Sequence, residues 1–218
     1  MQQFNFGAFF RSIFANPFRR PTSSGLGLPS SDLESSPDSS ISLSYPSLAW
    51  GKKVSPEFRA KTISLCERLG IEPDHLMACM AFESGETFSP SIYNAAGSGA
   101  VGLIQFMPAT ARGLGTATGN LAALSAVEQL DWVERYFQPY KGRLKTLSDV
   151  YMAILWPAAI GKPESSPLWS QADRPTTYRQ NAGLDANKDG VITKAEAASK
   201  VQAKLERGCK PEFLWVAS

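Results

Sequence analysis

Apolar residues in this chain recur every three or four positions and hardly ever in alternation, and that period restricts the fold to packed helices. Phe58, Thr62, Leu65 and Leu69 mark one such face; Leu76, Cys79, Met80 and Glu83 mark a second. Local signals set the ends. Ser55-Pro56-Glu57 supplies a hydroxyl cap, a first-turn proline and an early acid, and Gly70 stops the first helix. Pro73 opens the second. Further helices are expected from Pro108 to Arg112, Ser125 to Tyr136, Thr146 to Leu155 and Thr193 to Glu206, so the fold class is mainly α.

The chain divides by composition. Residues 1–20 carry Phe4, Phe6, Phe9, Phe10, Phe14 and Phe18; Phe6, Phe10, Ile13 and Phe14 can share one helical face, which needs a partner. Residues 21–49 are rich in Ser, Pro, Gly and Asp and read as a linker. Residues 50–218 hold enough apolar sequence for one core.

Several classes are excluded early. A formal net charge of +2 is too small to imply a nucleic-acid partner. Lys141, Arg143 and Lys145 form a local basic strip that reads first as a solvated loop and second as a face for an anionic polymer. Cys66, Cys79 and Cys209 have no metal-ligand spacing and imply no disulfide framework. His75 is the single histidine, which removes zinc hydrolases with several imidazole ligands and any Ser-His-Asp triad not built on it. His75 and Cys79 lie four apart on one helix, whereas a Cys-His amidase or peptidase aims its dyad from separate elements. No run reaches the roughly 18 apolar residues of a membrane span. Arg11 interrupts the N-terminal apolar run, so a signal peptide for Sec-type export is not expected either.

Chemistry concentrates around Glu83. It ends an apolar stripe in Met80-Ala81-Phe82-Glu83-Ser84-Gly85-Glu86, where lost hydration would keep a carboxyl protonated and able to act as a general acid. Downstream, Gly97-Ser98-Gly99-Ala100-Val101-Gly102-Leu103-Ile104-Gln105-Phe106-Met107-Pro108 is glycine-rich and ends in an amide. Glycines let backbone approach a ligand closely, and Gln105 can offer a donor and an acceptor to an acetamido group. Glu86 is the nearest other acid, but Gly85 intervenes, so a rim or capping role is expected for it.

In these motifs, over roughly residues 55–200, the sequence resembles the soluble lytic transglycosylase family of the lysozyme superfamily. Glu83-Ser84 is similar to its catalytic Glu-Ser, Gly102-Leu103-Ile104-Gln105 to its Gly-Leu-Met-Gln, and Pro108-Ala109-Thr110-Ala111 continues the likeness. The resemblance implies a lysozyme-like helical domain of the goose-type/lytic transglycosylase kind, here with an N-terminal extension. It also implies cleavage of the β-1,4 bond between N-acetylmuramic acid and N-acetylglucosamine in peptidoglycan by one carboxyl, Glu83. Ser84, Gln105 and Phe106 would then lie against substrate. Ala96 stands where the family often has serine. Leu155-Trp156-Pro157-Ala158-Ala159 replaces its Ala-Tyr-Asn-x-Gly, so Trp156 can stack on a sugar but lacks the hydroxyl, which Tyr151 or Tyr178 would supply.

Asp185-Ala186-Asn187-Lys188-Asp189-Gly190-Val191-Ile192-Thr193-Lys194-Ala195-Glu196 fits the twelve-residue EF-hand calcium loop. Asp185, Asn187 and Asp189 would give side-chain oxygens, Val191 its carbonyl and Glu196 two oxygens, with Gly190 at the sharp turn and Ile192 in the core. A structural Ca2+ is expected. Missing export signals and the Phe-rich start suit an enzyme carried in a phage virion and acting at the host cell wall or periplasm, with residues 1–20 docked on a tail or internal virion protein. An interfacial membrane helix is the alternative for that segment, since Arg11, Arg19 and Arg20 flank the aromatics. For the domain, the alternatives are a lysozyme-type muramidase and a structural virion component that only binds glycan.

Overall fold

The structure is a computed structural model that describes residues 45–217. The expected docking segment, and the linker up to residue 44, lie outside the described residues.

Eight α-helices appear among them. α1 (Pro56–Leu69) starts as expected, with the Ser55 hydroxyl accepting from the Phe58 N–H at 3.2 Å, and ends on Gly70 in the left-handed conformation (φ +70°). α2 (Pro73–Glu83) follows at once, and every residue from Leu76 to Glu83 is buried. The expected single stripe is therefore a helix buried on all sides, the central element of the domain. α3 (Pro108–Gly113), α5 (Ala126–Phe137), α6 (Leu147–Leu155) and α8 (Lys194–Gly208) sit where expected; α5 and α8 open on full capping boxes, Ser125 with Glu128 and Thr193 with Glu196. α4 (Thr118–Ala122) and α7 (Pro175–Asn181) are short and lack a side-chain cap, and only Pro175 at the start of α7 is a helix signal in their sequence.

Two small antiparallel sheets complete the fold. β2 (Pro167–Ser170) pairs with β3 (Val191–Thr193), setting Trp169 opposite Ile192. β1 (Ser47–Leu48) pairs with β4 (Trp215–Val216), so the two ends of the described chain meet. This moves the domain boundary from residue 50 to before Ser47: Leu48 and Ala49 have no exposed surface, and the Ala49 N–H donates to Asp74 Oδ1 at 2.7 Å. Two strand residues are too few to show a period. Trp50 is fully buried, its Nε1 donating to the Lys204 carbonyl at 2.9 Å.

α6 and α8 both pack against α2. At the start of α2, His75 lines a depression with Leu147 and Ser148 of α6 and Ala195 to Gln202 of α8. At its end, Phe82 meets Tyr151 of α6 and Glu86 meets Lys204 and Arg207 of α8. α6 and α8 are joined by a buried ion pair: Lys194 Nζ donates to Asp149 Oδ1 at 2.7 Å and to the Lys162 carbonyl at 2.8 Å. Burial pushes the Asp149 carboxyl up, but the Lys194 ammonium and the Gly161 N–H outweigh it and hold the group below its ordinary value.

Candidate active site

Glu83 is the last residue of α2 and only 5% exposed. The chain then reverses sharply. Ser84 donates its hydroxyl to the Met80 carbonyl at 2.7 Å and accepts the Phe88 N–H at 3.0 Å, while Gly85 (φ +60°) and Glu86 (φ +67°) are both left-handed. A non-glycine residue in that region costs about 1–2 kcal/mol. At Glu86 the strain is held by the carboxylate, which is paired with Lys204 and, at 3.3 Å, with Arg207. Two cations occupy Glu86, so the nearest acid to Glu83 is a clamp between α8 and the turn. Ser84 is wholly buried, and its hydroxyl shapes the same turn.

The glycine-rich stretch folds back on itself through bridges of Val101 to Tyr93 and to Phe106. Gln105 is left-handed (φ +51°) and 3% exposed, and its Nε2 donates to the carbonyls of Ile92 (3.1 Å) and Gly102 (3.2 Å). The amide protons expected to meet an acetamido group thus hold the loop together. Gln129 of α5, which sequence reading missed, is the second organiser: its Oε1 accepts the Leu103 N–H at 2.7 Å, and its Nε2 donates to the carbonyls of Pro90 and Leu121. The one available signal was a polar residue beside Leu130 on an otherwise apolar face.

Gly102 is required by this contact. A Cβ there would lie 2.2 Å from Gln129 Oε1, and φ is +82°. Gly102→Ala should therefore cost about 3 kcal/mol, from left-handed strain and loss of the buried Gln129 hydrogen bonds. Urea denaturation measures this, and an unchanged midpoint would show that the loop does not depend on the contact.

Of the expected aromatics, Phe106 has no exposed surface and meets Tyr136 edge-to-face at 6.1 Å; it builds the wall behind the loop. Tyr151 is 1% exposed and T-shaped on Phe82 at 5.6 Å, one residue from Glu83. Trp156 is half-buried between Trp169 (5.5 Å) and the Arg174 guanidinium (5.4 Å). The Tyr178 hydroxyl donates to Asp185 Oδ2 at 2.6 Å. That commitment leaves Tyr151 as the tyrosine placed against the end of α2.

Residues 185–196 form a tight turn that leads through β3 into α8. Asp185 accepts the N–H groups of Lys188 (2.7 Å) and Gly190 (3.0 Å), Gly190 is left-handed, and Ile192 is fully buried. The Tyr178 hydroxyl, against the effect of burial and with help from the backbone N–H groups of Gly190 and Lys188, holds the Asp185 carboxyl below its ordinary value. Among the described residues, no three His, Cys, Asp or Glu side chains stand together as a metal-binding group. Glu196 is turned toward the helix cap, its Oε2 accepting from Thr193 N (2.9 Å) and Oγ1 (2.7 Å). Its Oε1 is buried without a hydrogen-bond partner.

A mainly helical, lysozyme-like domain with one buried carboxyl at the end of its central helix is the class that fold and site define. Residues 63–141, a little over a third of the chain, match the family model described as the transglycosylase SLT domain. Glu83, the Gly102–Gln105 loop and Gln129 all lie inside the matched segment. Members of that family are lytic transglycosylases, so the match supports a glycan lyase that acts on peptidoglycan. No curated protein and no solved structure matched the chain. No helix among the described residues is long and apolar enough to cross a membrane.

Proposed function

We propose that the protein is a peptidoglycan lytic transglycosylase in which Glu83 serves first as general acid and then as general base. The observation that carries this reading is a carboxyl only 5% exposed at the end of α2, inside the segment that matches the transglycosylase family. Glu83 protonates the oxygen leaving between N-acetylmuramic acid and N-acetylglucosamine. Its carboxylate then removes the proton of the muramoyl 6-hydroxyl, and that oxygen closes on C1 to give a 1,6-anhydro end. The substrate's acetamido group stabilises the cationic centre, so no second carboxylate is required. The pairing of Glu86 with Lys204 and Arg207 supports a one-carboxyl scheme. Gln105, through the loop it fixes, Ser84, through the turn, and Tyr151 position this acid; Trp156, half-buried, offers part of its ring to a sugar face. Purified sacculi incubated with the full chain test the activity: soluble fragments should appear, and their absence would overturn it.

Calcium belongs to the same proposal. Asp185, Asn187, Asp189, the Val191 carbonyl and Glu196 would hold Ca2+, which supplies a fixed charge tying β3 to the start of α8. Calcium at about 100 times its Kd should raise stability by about 2.7 kcal/mol, read as a higher melting temperature that chelator reverses. Identical melting curves in calcium and in chelator would remove the ion. The virion assignment rests on the Phe-rich start and Ser/Pro-rich linker. Strong binding of the first 25 residues to liposomes with no protein partner would replace docking by membrane attachment.

A further inference from the structure

Among the described residues, Tyr93 is one of two large hydrophobic side chains that stand in the open, 51% exposed; the other is Val216 of β4. We infer that Tyr93 is a stacking platform for one sugar ring of a bound glycan strand, set beside the Gly102–Gln105 loop; the choice of a glycan as occupant rests on the proposed transglycosylase function.

The loop fixes this residue by its backbone and leaves its ring uncovered. Tyr93 bridges Val101, and both of its chain neighbours are tied to the same stretch. The Ile92 carbonyl accepts the Gly102 N–H at 2.9 Å and the Gln105 amide at 3.1 Å, and the Asn94 N–H donates to the Ala100 carbonyl at 2.9 Å. Asn94 is buried, and its Oδ1 accepts the Ala96 N–H at 2.8 Å. Ala95, Ala96 and Gly97 follow, all exposed and all too small to cover an aromatic ring. Other tyrosines are committed: Tyr136 donates to the Ala153 carbonyl, Tyr178 to Asp185, and Tyr151 packs on Phe82. No ring contact or hydrogen bond engages the Tyr93 side chain among the described residues. A ring of this kind offers an apolar face and a hydroxyl, which match the apolar C–H face and the hydroxyl rim of a pyranose. Because the backbone is already held, the ordering cost of binding falls on the two side-chain torsions.

The platform lies within reach of Glu83. Phe88 is fixed to the end of α2, its N–H donating to Ser84 Oγ at 3.0 Å, and the five residues from Phe88 to Tyr93 span at most about 18 Å. The connecting segment and the loop are clamped by one side chain, because Gln129 donates to the Pro90 carbonyl at 3.0 Å and accepts the Leu103 N–H at 2.7 Å. A glycan strand with one bond at Glu83 extends over several sugars to either side, so Tyr93 serves a sugar away from the bond that breaks. Such a contact is equally strong before and during the reaction, which places its effect in KM and not in kcat.

The test compares Tyr93→Ala, Tyr93→Phe and Tyr93→Trp in the full chain. In the Glu83→Gln background, Tyr93→Ala should weaken binding to peptide-free glycan strands about tenfold, while Tyr93→Phe and Tyr93→Trp stay within about threefold of the parent. In the active chain, Tyr93→Ala should raise KM for the same strands by about tenfold with kcat held. Its melting temperature should match the parent's, because the ring is exposed. Equal affinity of Tyr93→Ala and its parent, a fall in kcat with KM unchanged, or a loss in Tyr93→Trp as large as in Tyr93→Ala would overturn the platform. Sedimentation of the parent and Tyr93→Ala covers the other occupant: self-association lost with the ring while glycan binding persists would give the position to a second copy of the chain. A parent that binds strands through Tyr93 but releases no fragments would sink the transglycosylase reading and leave the platform standing.

Discussion

Glu83→Gln should lower fragment release from peptidoglycan by about 10²–10⁴-fold while the domain stays folded, because glutamine keeps the shape of the side chain but has neither an acidic proton to give nor a carboxylate to take one up. The nearest acid in the sequence offers no substitute, because the Glu86 carboxylate is engaged by Lys204 and Arg207. The comparison needs turbidity clearing and glycan binding measured on the same preparations. Lost clearing with retained binding is the expected pattern, and wild-type clearing by the variant would take Glu83 out of the chemistry.

The largest loss of stability is expected from Asp149→Ala. It leaves the Lys194 ammonium, 1% exposed, with the Lys162 carbonyl at 2.8 Å and Glu164 at 3.7 Å as its remaining partners. Breaking a buried pair from one side costs about 3–5 kcal/mol, a large part of the 5–15 kcal/mol that holds a domain of this kind together. Replacing both residues, Asp149→Leu with Lys194→Met, should recover much of that loss, since no charge is then stranded. Guanidinium denaturation of the three proteins distinguishes the cases; equal midpoints for Asp149→Ala and wild type would show that the pair contributes nothing. The pair also sets an acid limit. Because the Asp149 carboxyl is held below its ordinary value, its contribution is complete above about pH 5 and is lost as the pH falls below about 4, through the folded-state value. Wild-type melting temperature should drop over that range, and Asp149→Asn should flatten the dependence.

What the sequence showed and what it hid follow from the distance over which each feature is encoded. Helix starts at Ser55, Ser125, Thr146 and Thr193 were legible because a cap and its N–H lie within one turn, and the start at Pro73 because proline suits the first helical position. Glu83 stood out in the sequence because it ends an apolar stripe and a glycine-rich loop follows some twenty residues on. The reading of Glu86 as a capping group was near the structure, although its partners come from α8. Hidden features depend on remote residues. Lys194 meets Asp149 across 45 positions, and Gln129 meets Leu103 across 26, so neither leaves a local pattern. β1 and β4 are two residues each, which placed Ser47–Ala49 in the linker. Gln105 was assigned donors for a ligand because its backbone conformation, which turns those donors inward, is invisible in composition. Tyr178 looked equivalent to Tyr151 until its hydroxyl was found on Asp185.

The central claim is the identity of the group that attacks the sugar after Glu83 has protonated the leaving oxygen. Mass spectrometry of muropeptides released from purified sacculi by the wild-type chain decides it. The account predicts 1,6-anhydro-muramoyl ends, lighter by one water than reducing ends, because the muramoyl 6-hydroxyl is the nucleophile. Reducing ends alone, each carrying the added water of hydrolysis, would contradict it and make the protein a muramidase.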